Sequence, residues 1–382
     1  MFRKIMAFML VIMMLFSLAA CQSNTTTNEG GEAVDAAVSA GYKIGIVTPT
    51  LSTSEDEFRA AAIMAEKYPD IVRHITLPEN FNIELETGIS QILSLADDSE
   101  MKAIIVNSGQ AGLLPAFQTI RERRPDILTI ATMMDEPDLM SNYIDMNFST
   151  DWLRRGVTIP TKAKEMGATT FIHYSFPTHL ARDLVANRKD GMKKTAEELG
   201  MEFVEIITPD PQTGDGTAPM LQFLREDIPR QITKYGPDIN IFGSNCPMYD
   251  VILDEALKSK FIVAEQCCPT PTQAYPTVMG LEIDPEDIGN FDLINEMITE
   301  KAKEAEMTGR LSGWAMPSSV YIPQFEVELA KYIIEKEIDY KDVLNKAFLD
   351  DFSEEVMGVR GDFEPMGEYD NYFMLVLDSI YY

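Results

Sequence analysis

From Tyr42 onward, short β-branched apolar runs alternate with longer stretches in which apolar residues recur every third or fourth position. The first run, 43–47, reads as a buried strand. Ser54 and Glu57 then stand at capping-box spacing, and Phe58, Ala61, Ala62 and Ala65 mark the apolar face of the helix they open. The same logic predicts strands over 71–77, 103–106 and 127–132, helices over 83–95 and 115–123, and a candidate fifth strand at 143–146. Strands and helices taking turns over short connections argue for a parallel, doubly wound sheet.

The alternation then runs a second time. A helical segment at 152–166 leads to a strand at 170–174 and a helix over 178–199 that stops at Gly200. Strands are predicted at 203–207, 239–242, 261–264 and 278–283, with helices at 220–235, 249–258, 288–306 and 325–337. The segment 340–382 holds one more helix and a last apolar run, 373–377, which the pattern assigns to neither sheet. The expected organisation is a first α/β lobe over 41–148 plus part of the C-terminal region. A second lobe with hinge crossings follows over 149–340, and a C-terminal helix and strand occupy 341–382.

Before Tyr42 the pattern is different. Arg3 and Lys4 precede an apolar run, 5–18, and small residues then lead to Cys21. Positive head, apolar stretch and small residues are the marks of a secretory signal, here 1–20. The run is short of the ~20 residues that span a bilayer. Residues 22–40 are polar and Gly-rich with little to bury, the composition of a flexible tether. The ending Leu18-Ala19-Ala20-Cys21 resembles the lipobox of bacterial lipoproteins. That resemblance implies lipid on the Cys21 thiol and a folded part held at a membrane surface outside the cytoplasm.

Charge narrows the partners. At a formal −29 the chain repels phosphate backbones and anionic lipid heads, so nucleic acid is excluded and membrane contact falls to the lipid itself. Of four cysteines, Cys246, Cys267 and Cys268 remain after Cys21. Two arrangements stay open: a disulfide from Cys246 to Cys267 or Cys268, or three buried reduced thiols. With no Cys-x-x-Cys pair and only His74, His173 and His179 besides, neither a zinc site nor any other metal or cofactor is expected.

Two α/β lobes behind a lipobox resemble type I periplasmic substrate-binding proteins, within which the chain fits an uncharacterised group of lipoproteins. The resemblance implies two Rossmann-like lobes joined by a hinge, closing on a solute and delivering it to an ABC permease. A sensory lipoprotein with the same cleft and a structural surface lipoprotein without ligand are the alternatives. A cytoplasmic repressor of this architecture would need a basic helix-turn-helix where the signal stands.

Ligands of doubly wound sheets bind beyond the carboxyl ends of the strands. The residues there are Thr48, Thr50 and Ser52, then Ser108 and Asp135, in the first lobe, and Tyr174, Phe176, Asn245 and Glu265 in the second. Hydroxyls, amides and aromatic faces suit a small polar solute. Glu55, Asp56 and Glu57 crowd the first turn of the first helix, where an anion would otherwise dock. With Asp135 and Glu265 they predict a negative cleft and a neutral ligand such as a sugar or nucleoside. An enzyme is not expected: the common nucleotide, hydrolase and metalloprotease motifs are absent. His179 beside Ser175 lacks an orienting third group.

Overall fold

The computed structural model describes residues 41–81, 83–107, 112–132, 137–213 and 216–382. The predicted signal, Cys21, the tether, Ser108 and Asp135 lie outside the described residues. Five parallel strands start the first lobe: β1 (Lys43–Thr48), β2 (Val72–Thr76), β3 (Met101–Val106), β4 (Leu128–Thr132) and β5 (Met146–Thr150). They lie in the order β2-β1-β3-β4-β5. Helices cover both faces of this sheet, so β1 and β3 carry the apolar runs 44–47 and 103–106. Successive residues of β3 serve opposite cores, Ala103 and Ile105 on one side and Ile104 and Val106 on the other.

The second lobe repeats that order. β6 (Thr170–Ser175), β7 (Glu202–Ile207) and β8 (Ile239–Gly243) pair in parallel as β7-β6-β8. Single parallel bridges, Asn240 to Ile262 and Val263 to Leu311, extend the sheet by two further segments. Two lobes, each doubly wound in the sense 2-1-3-4-5, are the fold class expected from the sequence.

Three crossings join the lobes. The chain leaves the first sheet between β5 and α4 (Arg155–Glu165), and returns between β9 (Ser312–Trp314) and α9 (Ser318–Lys336). It crosses last between β11 (Tyr369–Leu377) and β12 (Ser379–Tyr381), the partner of β9. Between the first two crossings lie α5 (Asp183–Glu198), α6 (Ala218–Tyr235), α7 (Tyr249–Ser259) and α8 (Phe291–Glu304). In the first lobe, α1 (Glu55–Lys67) and α9 share one side of the sheet, and α2 (Leu85–Ala96) and α3 (Leu114–Arg123) the other. Ala40–Tyr382 forms one compact unit that contains all three hydrophobic clusters.

Several expectations shift. The chain rejoins the first lobe at 314–318 rather than after 340, because α9 begins seven residues before the predicted 325 and carries Pro323 inside it. The run 373–377 is part of β11, which adds to β5 in parallel and pairs antiparallel with β10 (Gly361–Met366). No strand forms at 278–283: a short helix, Tyr275–Met279, ends there at Gly280 with φ +65°. The helix predicted over 178–199 is two, Pro177–Leu180 and α5. Ser54 does not cap backbone; its hydroxyl donates to the Glu57 carboxylate instead. Among the described residues, no helix is long and apolar enough to cross a membrane.

Candidate functional site

A cavity of about 240 Å³ opens where the carboxyl ends of β4 and β5 meet the second lobe. Thr132 and Thr150 end those strands, Asp56 and Glu57 open α1, and Ser318, Ser319 and Ile322 open α9. Cys268, Pro269 and Thr270 come from the loop after the fourth segment of the second sheet. Trp152 and Trp314, both tryptophans of the chain, stand in the wall at two of the three crossings.

Arg155 fastens this junction. It is fully buried, and its guanidinium lies 5.1 Å from the Trp152 ring centre and 5.2 Å from that of Trp314. Nε donates to Glu265 Oε1 at 2.7 Å, one terminal nitrogen to the Cys267 carbonyl at 2.7 Å, and the other to the Gln266 carbonyl at 2.5 Å. Each of the three guanidinium nitrogens donates a bond, and an ion pair with further hydrogen bonds is the condition under which a buried charge is tolerated. Glu265, expected to face a ligand, is instead 3% exposed and neutralised by Arg155. It adds no net charge to the cleft.

Other predicted residues scatter. Thr48 is buried, its hydroxyl on the Pro49 carbonyl and 2.8 Å from His74 Nε2. Thr50 and Ser52 bond to each other at 3.0 Å on the rim, where Ser52 donates to Glu79. Tyr174 is core, donating to Asp227 at 2.9 Å. Phe176 is also buried and stacks on His179 at 5.1 Å. Asn245 stays half-buried at the end of β8, next to Cys246. Ser175 and His179 do not meet: Ser244 Oγ stands between them, 2.7 Å from Ser175 Oγ and 3.0 Å from His179 Nδ1.

Acid character survives on the first-lobe side. Asp56 accepts from Ser319 Oγ at 2.6 Å. Burial raises the pKa of Glu57, while the Ser54 hydroxyl pulls it down. Beneath Thr132, Glu326 is fully buried and accepts from Asn107 Nδ2 at 2.5 Å and Thr132 Oγ1 at 2.8 Å. Burial pushes its pKa up to about 8, so it holds its proton at neutral pH.

On the second-lobe side the three thiols converge. Cys246 Sγ is 3.6 Å from Cys267 Sγ, which is 3.7 Å from Cys268 Sγ, and all three lie within 4.8 Å of one another. All three are free, but the expected burial holds for Cys267 alone: Cys246 is half-buried and Cys268 exposed. Hydrogen bonds from Cys267 and Cys268 hold the Cys246 pKa well below that of a free thiol. Trp152, Trp314, Thr150 and Ser319 line the site without having been expected there. The signal available was that both tryptophans fall between one round of alternation and the next.

Residues 42–312 match the family described as "Protein of unknown function (DUF3798)". An "Uncharacterized protein" of Treponema pallidum (strain Nichols) is 34% identical over 178 residues, 44% of this chain and 80% of that one. A crystal structure from Clostridium difficile 630, of a protein provisionally named a transcriptional regulator, is 39% identical with a TM-score of 0.86. The match covers 89% of this chain and 99% of that one. An ABC transporter periplasmic solute binding protein of Actinobacillus succinogenes 130z, solved with D-allose, is 14% identical with a TM-score of 0.44, covering 77% and 92%.

Proposed function

Since the chain belongs to the DUF3798 family, described as of unknown function, we propose its role from the cleft: an extracytoplasmic receptor that captures a small neutral solute between its lobes. The observation that carries this reading is the cavity at the lobe junction, walled by two indoles and a set of hydroxyls. At about 240 Å³ it falls below the ~300–1,000 Å³ of drug-sized sites, which favours a monosaccharide over a nucleoside. Flat aromatic faces pack against the apolar face of a sugar ring while Thr132, Thr150, Ser318 and Thr270 offer directional bonds. The indole nitrogen of Trp314 is buried without a hydrogen-bond partner, a donor that a solute hydroxyl would satisfy. Asp56 and Glu57 oppose an anionic solute.

Hinge closure at the three crossings converts binding into a signal for a membrane partner, an ABC permease in the leading form of this proposal. The export signal and Cys21 support attachment outside the cytoplasm through lipid. The polar groups on the second-lobe side support binding rather than turnover. Ser175 and Ser244 are buried and share a bond, and among the described residues no carboxylate bonds to His179. The name of the Clostridium difficile protein favours a second reading, regulation. A charge of −29 opposes contact with DNA and leaves a protein sensor as the partner for that role.

The test is a thermal-shift screen of Ala40–Tyr382 against sugars, nucleosides, amino acids and polyamines, read together with tryptophan emission. A solute at 100 times its Kd adds about 2.7 kcal/mol to stability. A neutral sugar should raise Tm and change the emission of Trp152 and Trp314. Silence from every neutral solute, or a response confined to anions, would end the proposal.

A further inference from the structure

We infer that Cys246, Cys267 and Cys268 form a binding site for one thiophilic d10 metal ion, of the zinc(II) or copper(I) type, on the second-lobe face of the cleft. Two independent observations carry this. The first is sulfur geometry. Metal–sulfur bonds of about 2.3 Å at tetrahedral angles set neighbouring sulfurs about 3.8 Å apart. The observed separations are 3.6 Å and 3.7 Å, with the third under 4.8 Å. The triad needs only a small side-chain adjustment to close on an ion. Thiolates are the ligands that select zinc and copper(I) over harder ions.

The second observation is charge. The three sulfurs bind as thiolates, so a divalent ion leaves the cluster at −1 and a monovalent ion at −2. Arg188 is 6% exposed and, among the described residues, has neither an ion pair nor a side-chain hydrogen bond; its guanidinium rests over the Phe242 ring at 5.6 Å. Its nitrogens are not among the buried atoms left without a partner, so the cation keeps an edge to solvent while most of the side chain is withdrawn from water. Burial, and then the Arg155 charge, weigh against its charged form, while Cys267, Tyr249 and Cys268 lie on the side that favours it, so the loaded cluster would add negative charge where Arg188 has no anion paired with it.

The cysteines come from two strand-end loops, one after β8 and one after the fourth segment of the second sheet. That is why no Cys-x-x-Cys spacing announces them. Three protein ligands leave a fourth position open, as in zinc sites that also bind an exogenous group. Cys268 lines the cavity, so the ion would border the solute site. The inference does not depend on the solute reading.

The experiment titrates reduced, metal-free Ala40–Tyr382, which lacks Cys21, with cobalt(II) under argon, followed by zinc(II) or copper(I). One equivalent of cobalt should produce sulfur-to-metal charge-transfer absorption, and zinc(II) or copper(I) should abolish it. Which ion displaces cobalt at the lower concentration identifies the preferred guest. Cys268→Ser, at an exposed position, should keep its metal-free Tm and lose at least about 100-fold in affinity, and Cys246→Ser should do the same. Absent charge transfer, or binding unchanged in both variants, overturns the inference. So does protein isolated without reductant that has one free thiol and a Cys246–Cys267 disulfide. The solute screen, run metal-free, reports on the receptor proposal separately.

Discussion

Arg155 and Glu265 meet as a fully buried ion pair, Nε to Oε1 at 2.7 Å, beside the crossing where the chain first passes from one lobe to the other. The pair is 110 residues apart in sequence. It ties the start of α4 to the loop that carries two of the three thiols. Removing one partner strands a charge in a dry site, which costs about 3–5 kcal/mol. Arg155→Met and Glu265→Leu should each lower stability by that amount in urea unfolding, and the double variant should recover much of the loss. Single variants within about 1 kcal/mol of the parent would mean that water reaches the pair.

Gly156 lies one residue on, at the place where α4 touches α5. A Cβ there would sit 2.8 Å from the Arg188 carbonyl oxygen and 3.3 Å from the Gly191 Cα, both backbone atoms that cannot turn aside. Gly156→Ala should push the helices apart and cost about 1–3 kcal/mol. Gly289, with nothing within 4 Å of a built Cβ, is the control: Gly289→Ala should be neutral or slightly stabilising. Chemical denaturation of the two variants side by side decides it. Equal losses would remove close packing as the cause.

The pH dependence of folding should carry the mark of Glu326. Its carboxyl has an ordinary pKa of 4.5, and burial raises this to about 8 in the fold. The native state therefore binds the proton more tightly than the unfolded chain does. Stability from this group is complete below about pH 4.5 and is lost as pH rises to about 8. Glu326→Gln keeps the shape and removes the titration. Its Tm should approach that of the parent near pH 5 and exceed it at pH 9. Parallel Tm curves across that interval would contradict the assignment.

Strands of both lobes were legible because parallel strands covered on two faces are largely apolar, as 103–106 is throughout and 239–242 is except at Asn240, whose side chain accepts from the Ala264 amide. Partners far away in sequence left no such trace. The run 373–377 finds its place only by pairing Phe373 with Phe148. Pro323 reads as a helix boundary, yet α9 runs through it because Tyr321, Ile322 and Phe325 are buried against the first sheet. At the site, the strand-end rule points to the end of each sheet where the cavity lies, but several residues it names are engaged elsewhere in the fold. Glu265 is taken up by Arg155 and Tyr174 by Asp227, and neither partner is visible in a local pattern. The thiol triad was hidden for the same reason: Cys246 lies 21 residues from Cys267.

Trp314 separates the structural and binding roles of the cleft wall. Its ring stacks on Arg155, while its indole nitrogen is buried without a partner. Trp314→Phe keeps an aromatic face for the guanidinium and deletes the donor. If a solute hydroxyl is the missing acceptor, the variant loses a hydrogen bond worth about 0.5–1.5 kcal/mol, so affinity for the neutral sugar found by screening should fall about 2- to 12-fold. Its unfolding midpoint without solute should fall, because Trp314 is 1% exposed and the smaller ring leaves a cavity. Trp152→Phe is the comparison: Trp152 has the same stacking role, but its indole nitrogen is not among the buried donors left without a partner, so affinity should change less. Calorimetric titration of the two variants with the same sugar reads the difference. Equal affinities would show that the Trp314 nitrogen does not meet the ligand.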